Sequence, residues 1–167
     1  MKGLTIEDRL AGLRAGRAPS ARLYAVVDVL LLAHCEPAPT LPRGPGALAL
    51  FDGTVDAALA EHGPWLLHYE EAPPELRSSL HVLAQGTVGI VWLISAHVLQ
   101  ALAAMLRERL GVRLPDGTTA LLRYYDPRRL ADIAEAMSAA QRAHLLAPAL
   151  QWVVEREARL SEVMPHV

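Results

Sequence analysis

Three aspartates stand where carboxylates do chemistry in α/β proteins. Asp28 closes the apolar run Leu23 to Val27, Asp52 follows Leu50-Phe51, and Asp126 follows Leu122-Arg123-Tyr124-Tyr125. Each falls at the expected end of a strand or in a turn, the place from which a general acid or base meets a substrate. Backbone work competes with catalysis at all three. Asp52 precedes Gly53 in a turn. Asp126 precedes Pro127 in the order of an N-cap and a first helical position, and for Asp28 satisfying nearby amides outweighs catalysis. Joined with a histidine such as His97, Asp28 and Asp126 define the enzymatic alternative, a small hydrolase or transferase.

The other chemistry-bearing types are scattered. Seven histidines (His34, His62, His68, His81, His97, His144 and His166) include no i, i+4 pair with a nearby acid and no HExxH, so no metal site is expected. Ser95 and His97 lack the glycine elbow of a serine nucleophile, and Ser95 reads as a helix cap. Gly44-Pro45-Gly46 places proline where a phosphate loop needs amide donors, and no cofactor is expected. Arg107, Arg109, Arg113, Arg123, Arg128 and Arg129 form a basic run without interleaved aromatic residues, which suits a solvated rim or an acidic protein surface better than nucleic acid.

The elements that position these residues come from punctuation and periodicity. Thr5 to Arg17 reads as a helix with Ile6, Leu10 and Leu13 inward, and Leu23 to Val27 as a strand buried on both faces. Val29 to His34 reads as a helical turn, Glu36 to Gly46 as a proline-rich loop, and Ala47 to Phe51 as a strand. Thr54 is placed as the cap of a helix over 55–62 that Gly63 and Pro64 end. Trp65 to Tyr69 is the third strand, and Glu75 to Ala84 a helix that Gly86 ends. Ser78 to Leu106 carries no charged residue, yet its change of period at Ser95 favours a buried strand (Val88 to Ile94, central in the sheet) and a helix with Val98, Leu102, Met105 and Leu106 inward, not a membrane span.

Leu114-Pro115-Asp116-Gly117 then makes a tight turn between arms Val112 to Leu114 and Thr119 to Tyr125, and a helix is expected from Pro127 to Met137. On such an arm Tyr124 and Tyr125 face opposite sides, one into the core and the other either an interface anchor with Trp65 or Trp92 or, like the first, purely structural. Ser138 and Gln141 form a capping box, Pro148 ends that helix, and Leu150 to Val154 is the last expected strand. The whole predicts one α/β domain over 23–155, a mixed sheet of about five to six strands including a hairpin, flanked by helices. Residues 1–22 read as a helical extension and 156–167 as a tail.

With 52% apolar residues and a net charge of −2, the chain supports a core and argues against a nucleic-acid partner. Charge is unevenly spread: Asp28 to Glu75 holds eight acids against Arg43 alone, while Arg107 to Arg129 is basic. Such a division favours oriented docking to a charged protein. A lone cysteine, Cys35, builds no disulfide framework, and no secretory pattern opens the chain, which fits a cytoplasmic protein.

Six short blocks also resemble a known family in the same order. They are Leu23-Tyr24-Ala25-Val26-Val27-Asp28, Leu50-Phe51-Asp52-Gly53-Thr54, Gly63-Pro64-Trp65-Leu66-Leu67, the uncharged strand and helix, Leu121-Leu122-Arg123-Tyr124-Tyr125-Asp126-Pro127, and Leu146-Ala147-Pro148 with Trp152. The family is an uncharacterised-domain group whose members act as effector-associated chaperones or adaptors of the bacterial type VI secretion system. The resemblance implies a non-enzymatic role, with a cognate toxic effector and the VgrG spike as partners. It also implies a further helical lobe after the last strand; with the sequence stopping at Val167, that lobe is expected to be absent or cut away. Trp65, Trp92, Arg123, Tyr124, Tyr125, Arg128 and Arg129 are the expected partner-binding residues. Asp28, Asp52, Gly53, Pro115, Gly117, Asp126 and Pro127 are the expected structural motif.

Overall fold

A computed structural model of the chain describes residues 3–34, 41, 43–86 and 89–164. Two strands without a polar face make its centre. β1 (Arg22–Asp28) lies beside β4, with β2 (Ala47–Ala49) and β3 (Pro64–His68) on one flank. β4 (Val91–Ser95) is buried at every position. β5 (Gly111–Arg113) and β6 (Thr119–Leu121) form a separate hairpin. β7 (Gln151–Arg156) and β8 (Arg159–Glu162) complete a six-stranded sheet of order β2-β3-β1-β4-β7-β8.

The domain is α/β, as the alternation of elements requires, but its described pairings are all antiparallel where a mixed sheet was expected. The reason is topological. β3 and β4 run parallel to each other, joined by the crossover helix Pro74–Gln85, yet β1 lies between them and opposes both.

Helices cover the sheet, some of them opened by a side-chain cap. Thr5 and Asp8 form a capping box for α1 (Ile6–Ala15), which buries Ile6, Leu10 and Leu13. Short α2 (Val29–Leu32) follows Asp28, and α3 (Pro74–Gln85) stops where the Gly86 amide donates to Leu83 O. α4 (Leu99–Arg107), α5 (Leu130–Ala136) and α6 (Ala139–Leu146) follow, the last with the Ser138–Gln141 capping box.

Several local expectations fail for identifiable reasons. Ser95 does not cap a helix: it stays in β4, donating its hydroxyl to Pro148 O at 2.7 Å and accepting the His97 amide at 3.2 Å. α4 therefore begins later, and Val98 is left half exposed, while Leu102 and Leu106 face inward as expected. Thr54 closes a turn through Phe51 O at 2.7 Å, and only a 3-10 segment, Ala57–His62, follows. Gly63 after it is required by packing, since a Cβ there would lie 2.3 Å from the Phe51 ring.

The Pro115–Gly117 turn forms as read, with Gly117 at φ +85° and its amide on Leu114 O at 2.9 Å. Its second arm is shorter than expected. β6 ends at Leu121, and Tyr124 and Tyr125 lie in a turn with both rings buried, so the two-sided arrangement of a strand does not apply. Helix α5 starts at Leu130, not Pro127, because Asp126 O already accepts the Arg129 and Leu130 amides in a preceding turn.

The segment read as a tail instead supplies β8, paired with β7 across a two-residue turn. Glu157 and Ala158 occupy that turn at φ 50° and 60°, a conformation normally given to Asn and Gly. A side chain there costs ~1 kcal/mol per residue. Ala158→Gly is expected to raise stability by about 0.5–1 kcal/mol, seen as a higher urea midpoint at unchanged slope. An unchanged or lower midpoint would contradict the strain.

Candidate functional site

The motif aspartates meet around one arginine. Asp28 ends β1 nearly buried; one oxygen accepts the Leu30 amide at 3.0 Å, capping α2, and the other accepts Arg123 Nη2 at 3.1 Å. Arg123 Nη2 also lies 3.9 Å from Asp126 Oδ2. Asp126 is fully buried. Its Oδ1 accepts the Arg128 amide at 3.0 Å and Nε at 3.1 Å, and its Oδ2 accepts Arg128 Nη2 at 3.0 Å. Arg123 and Arg128 remain about half exposed on their outer sides. Two carboxylates and two guanidiniums thus close on one another, and both carboxylates have their oxygens committed to arginines and amides. Arg123 also stands over the Tyr125 ring at 5.9 Å.

Burial is the largest single influence on the Asp126 carboxyl and raises its pKa. The Arg128 guanidinium and amide, with the Arg123 charge, outweigh it and hold the group below the usual carboxylate range. The aromatic residues proposed as anchors lie behind this cluster. Tyr124 is fully buried, donates to Leu106 O at 2.7 Å and packs edge-on against Trp152; burial pushes its hydroxyl well above the usual value. Tyr125 meets Phe51 and Tyr124 edge-to-face. Trp92 is fully buried, and Trp65 is nearly so, donating to Ala60 O at 3.2 Å beneath Arg43. All four pack the core and none offers a surface anchor.

His97 does not join the aspartates. It follows Ser95, which pairs with Arg22 at the start of β1, whereas Asp28 ends that strand. Six strand residues separate the two ends, about 20 Å. His34, His62 and His144 are exposed, His68 faces Glu71 at 3.2 Å, and His166 lies outside the described residues with Cys35. Among the described residues no group of three His, Cys, Asp or Glu is placed to hold a metal ion, and no helix is long and apolar enough to cross a membrane.

One histidine cluster was not legible beforehand. Tyr69 Oη lies 2.7 Å from both Glu7 Oε1 and His81 Nε2, and His81 Nε2 lies 2.8 Å from Glu7 Oε1. Both rings pack on Trp92. Burial raises the Glu7 carboxyl, but the Tyr69 hydroxyl and His81 outweigh it and leave it lowered. Residues so far apart in sequence give no motif; the cluster bolts α1 to α3 over the sheet.

The arginines mostly grip backbone. Arg107 donates to Leu50 O and Ala49 O, and the buried Arg109 to His144 O at 2.8 Å and Met105 O at 2.6 Å. Arg142 reaches Ala134 O, Arg156 Pro127 O, and Arg14 Ala21 O. Some acids of the first half are neutralised internally: Arg43 pairs with Asp52 and Glu61, and Arg14 with Glu70. The charge division in the sequence is therefore much weaker on the surface. Arg113 and Arg129 remain exposed with no ion-pair partner among the described residues.

The two edges of the sheet differ. On β2 the register turns Ala47 and Ala49 outward, but the Ala47 amide donates to Gly44 O, and Ala49 O accepts the Asp52 amide and Arg107. On β8 the Val163 amide donates to Trp152 O, so Leu160 and Glu162 turn their N–H and C=O away from β7, where no described residue meets them. Beside this open edge lies a cleft of about 470 Å³ between α5 and the β7–β8 face. Pro127, Ala131, Ala134, Val154 and Val163 give it apolar walls.

A family model described as a domain of unknown function, DUF4123, matches residues 23–144. The chain belongs to that family. The DUF4123 match runs from β1 into α6 and includes the whole aspartate–arginine cluster; β7 and β8 lie beyond it. No curated protein and no solved structure matches the chain.

Because Asp126 has a folded pKa below its unfolded value, it adds stability that is complete above the unfolded value near 3.9 and lost as pH falls through the folded one. Asp126→Asn is expected to cost about 2–4 kcal/mol at pH 7, since two guanidiniums lose a buried counter-charge. Urea titrations should show that deficit constant above about pH 5 and narrowing below about pH 4. A deficit that ignores acid would remove the electrostatic account.

Proposed function

We propose that this DUF4123 protein is a type VI secretion effector chaperone or adaptor, which binds a cognate toxin in the cytoplasm and helps load it onto the VgrG spike, without chemistry of its own. The observation that carries the reading is the state of Asp28 and Asp126. The two carboxylates best placed for catalysis are closed by Arg123, Arg128 and backbone amides, and His97 stands at the other end of the sheet. A hydrolase or transferase needs one of them open to a substrate. A scaffold needs them as they are. The family membership and the motif resemblance support the same reading.

In this reading the rigid sheet presents surface to a partially folded toxin, and the unpaired Arg113 and Arg129 orient the encounter. Co-expression with the toxin encoded beside it is expected to raise the soluble toxin fraction and give a 1:1 complex on size exclusion. Arg113→Glu with Arg129→Glu should slow association about tenfold at low salt and leave dissociation nearly unchanged. No co-purification and no change in toxin solubility would refute the proposal.

A further inference from the structure

The open β8 edge and the adjoining cleft together describe what fits there. Leu160 and Glu162 present N–H and C=O groups about 7 Å apart along the strand, the repeat at which an extended backbone pairs. A strand added at that edge turns every second side chain toward the face shared by Val154, Arg156, Ser161 and Val163, and so into the cleft under α5. The donors of the two cleft arginines are already directed at main chain, and Glu162 is ion-paired. Arg142 holds Ala134 O and Met137 O, Arg156 holds Pro127 O, and Glu162 pairs with Arg9 at 3.2 Å. Glu135 lines the same cleft without a counter-charge among the described residues.

We infer that β8 and its cleft receive an extended segment of the partner protein, apolar at alternate positions and carrying a lysine or arginine where it passes Glu135. The inference rests on the adaptor reading and names its docking site. Backbone pairing supplies affinity that any sequence shares, while the apolar cleft and Glu135 supply selectivity. A second copy of this chain fits less well. Four residues of β8 span about 13 Å, and symmetric pairing over that length buries far less than the roughly 1,200 Å² of a specific interface.

The test uses the full chain and random 12-residue peptides displayed on phage. Selected peptides are expected to alternate apolar residues around one basic position, and their affinity is then read by fluorescence anisotropy. Glu162→Ala and Glu162→Pro both lose the Arg9 pair, but only proline removes the outward amide while leaving the β7 pairing intact. Binding should fall about tenfold further in Glu162→Pro than in Glu162→Ala. N-methylation of alternate peptide amides should weaken binding equally, with no demand on the protein's folding. Glu135→Lys should reverse the selected charge from basic to acidic. Failure to select such peptides, indifference to N-methylation, or a dimer that dissociates in Glu162→Pro would each overturn the inference. A toxin that still co-purifies with Glu162→Pro at full affinity would sink this site and leave the adaptor reading standing.

Discussion

Two carboxylates without access to water dictate much of what surrounds them. Asp28 ends the central strand and Asp126 opens the approach to α5, and a buried carboxylate lacking a cation costs several kcal/mol. Arg123 answers Asp28 and approaches Asp126, while Arg128 closes the latter. The chain between Leu122 and Leu130 therefore has little choice of path. It must bring Arg123 over the end of β1, which drives the Tyr124 and Tyr125 rings inward against Trp152 and Phe51. That path in turn sets where α5 begins, and α5 is one wall of the cleft beside β8.

The same arrangement commits to arginines and amides the oxygens of residues that look catalytic in one dimension. Carboxylates at strand ends serve enzymes when one oxygen stays open to a cavity. Here the strand end is used to anchor a crossing loop. These polar groups are consumed in holding shape, and the polar groups left open include the backbone at the sheet's edge. β2 is sealed by a turn and by Arg107, so the edge that remains is β8.

Much of the architecture was legible because local signals were unambiguous. The apolar runs of β1 and β4 had no face for solvent, and the Ser138–Gln141 box named a helix start correctly. Pro115 and Gly117 fixed a turn. Errors arose where a long-range partner decided a residue's role. Ser95 looked like a cap but answers Pro148, more than fifty residues on. The alternation applied to Tyr124 and Tyr125 presumed a strand that Arg123 bends away from. β8 escaped notice because its turn uses Glu157 and Ala158, and residues disfavoured at positive φ give no hairpin signal. The site's positions were visible; its pairings, between residues as distant as Asp28 and Arg123, were not.

The arginine grips on main-chain carbonyls carry one more consequence. A planar fork with several donors can hold one or two carbonyl oxygens and keeps its proton at any pH a folded protein survives, whereas an ammonium on a flexible stem does neither as well. Lys2 is the sole lysine of the chain. The arginine ties of the described framework are therefore ones that alkali cannot neutralise, and acylating or amine-crosslinking reagents find few amines on the chain to modify. Whatever such reagents capture in a mixture with this protein will be reporting on the other molecule.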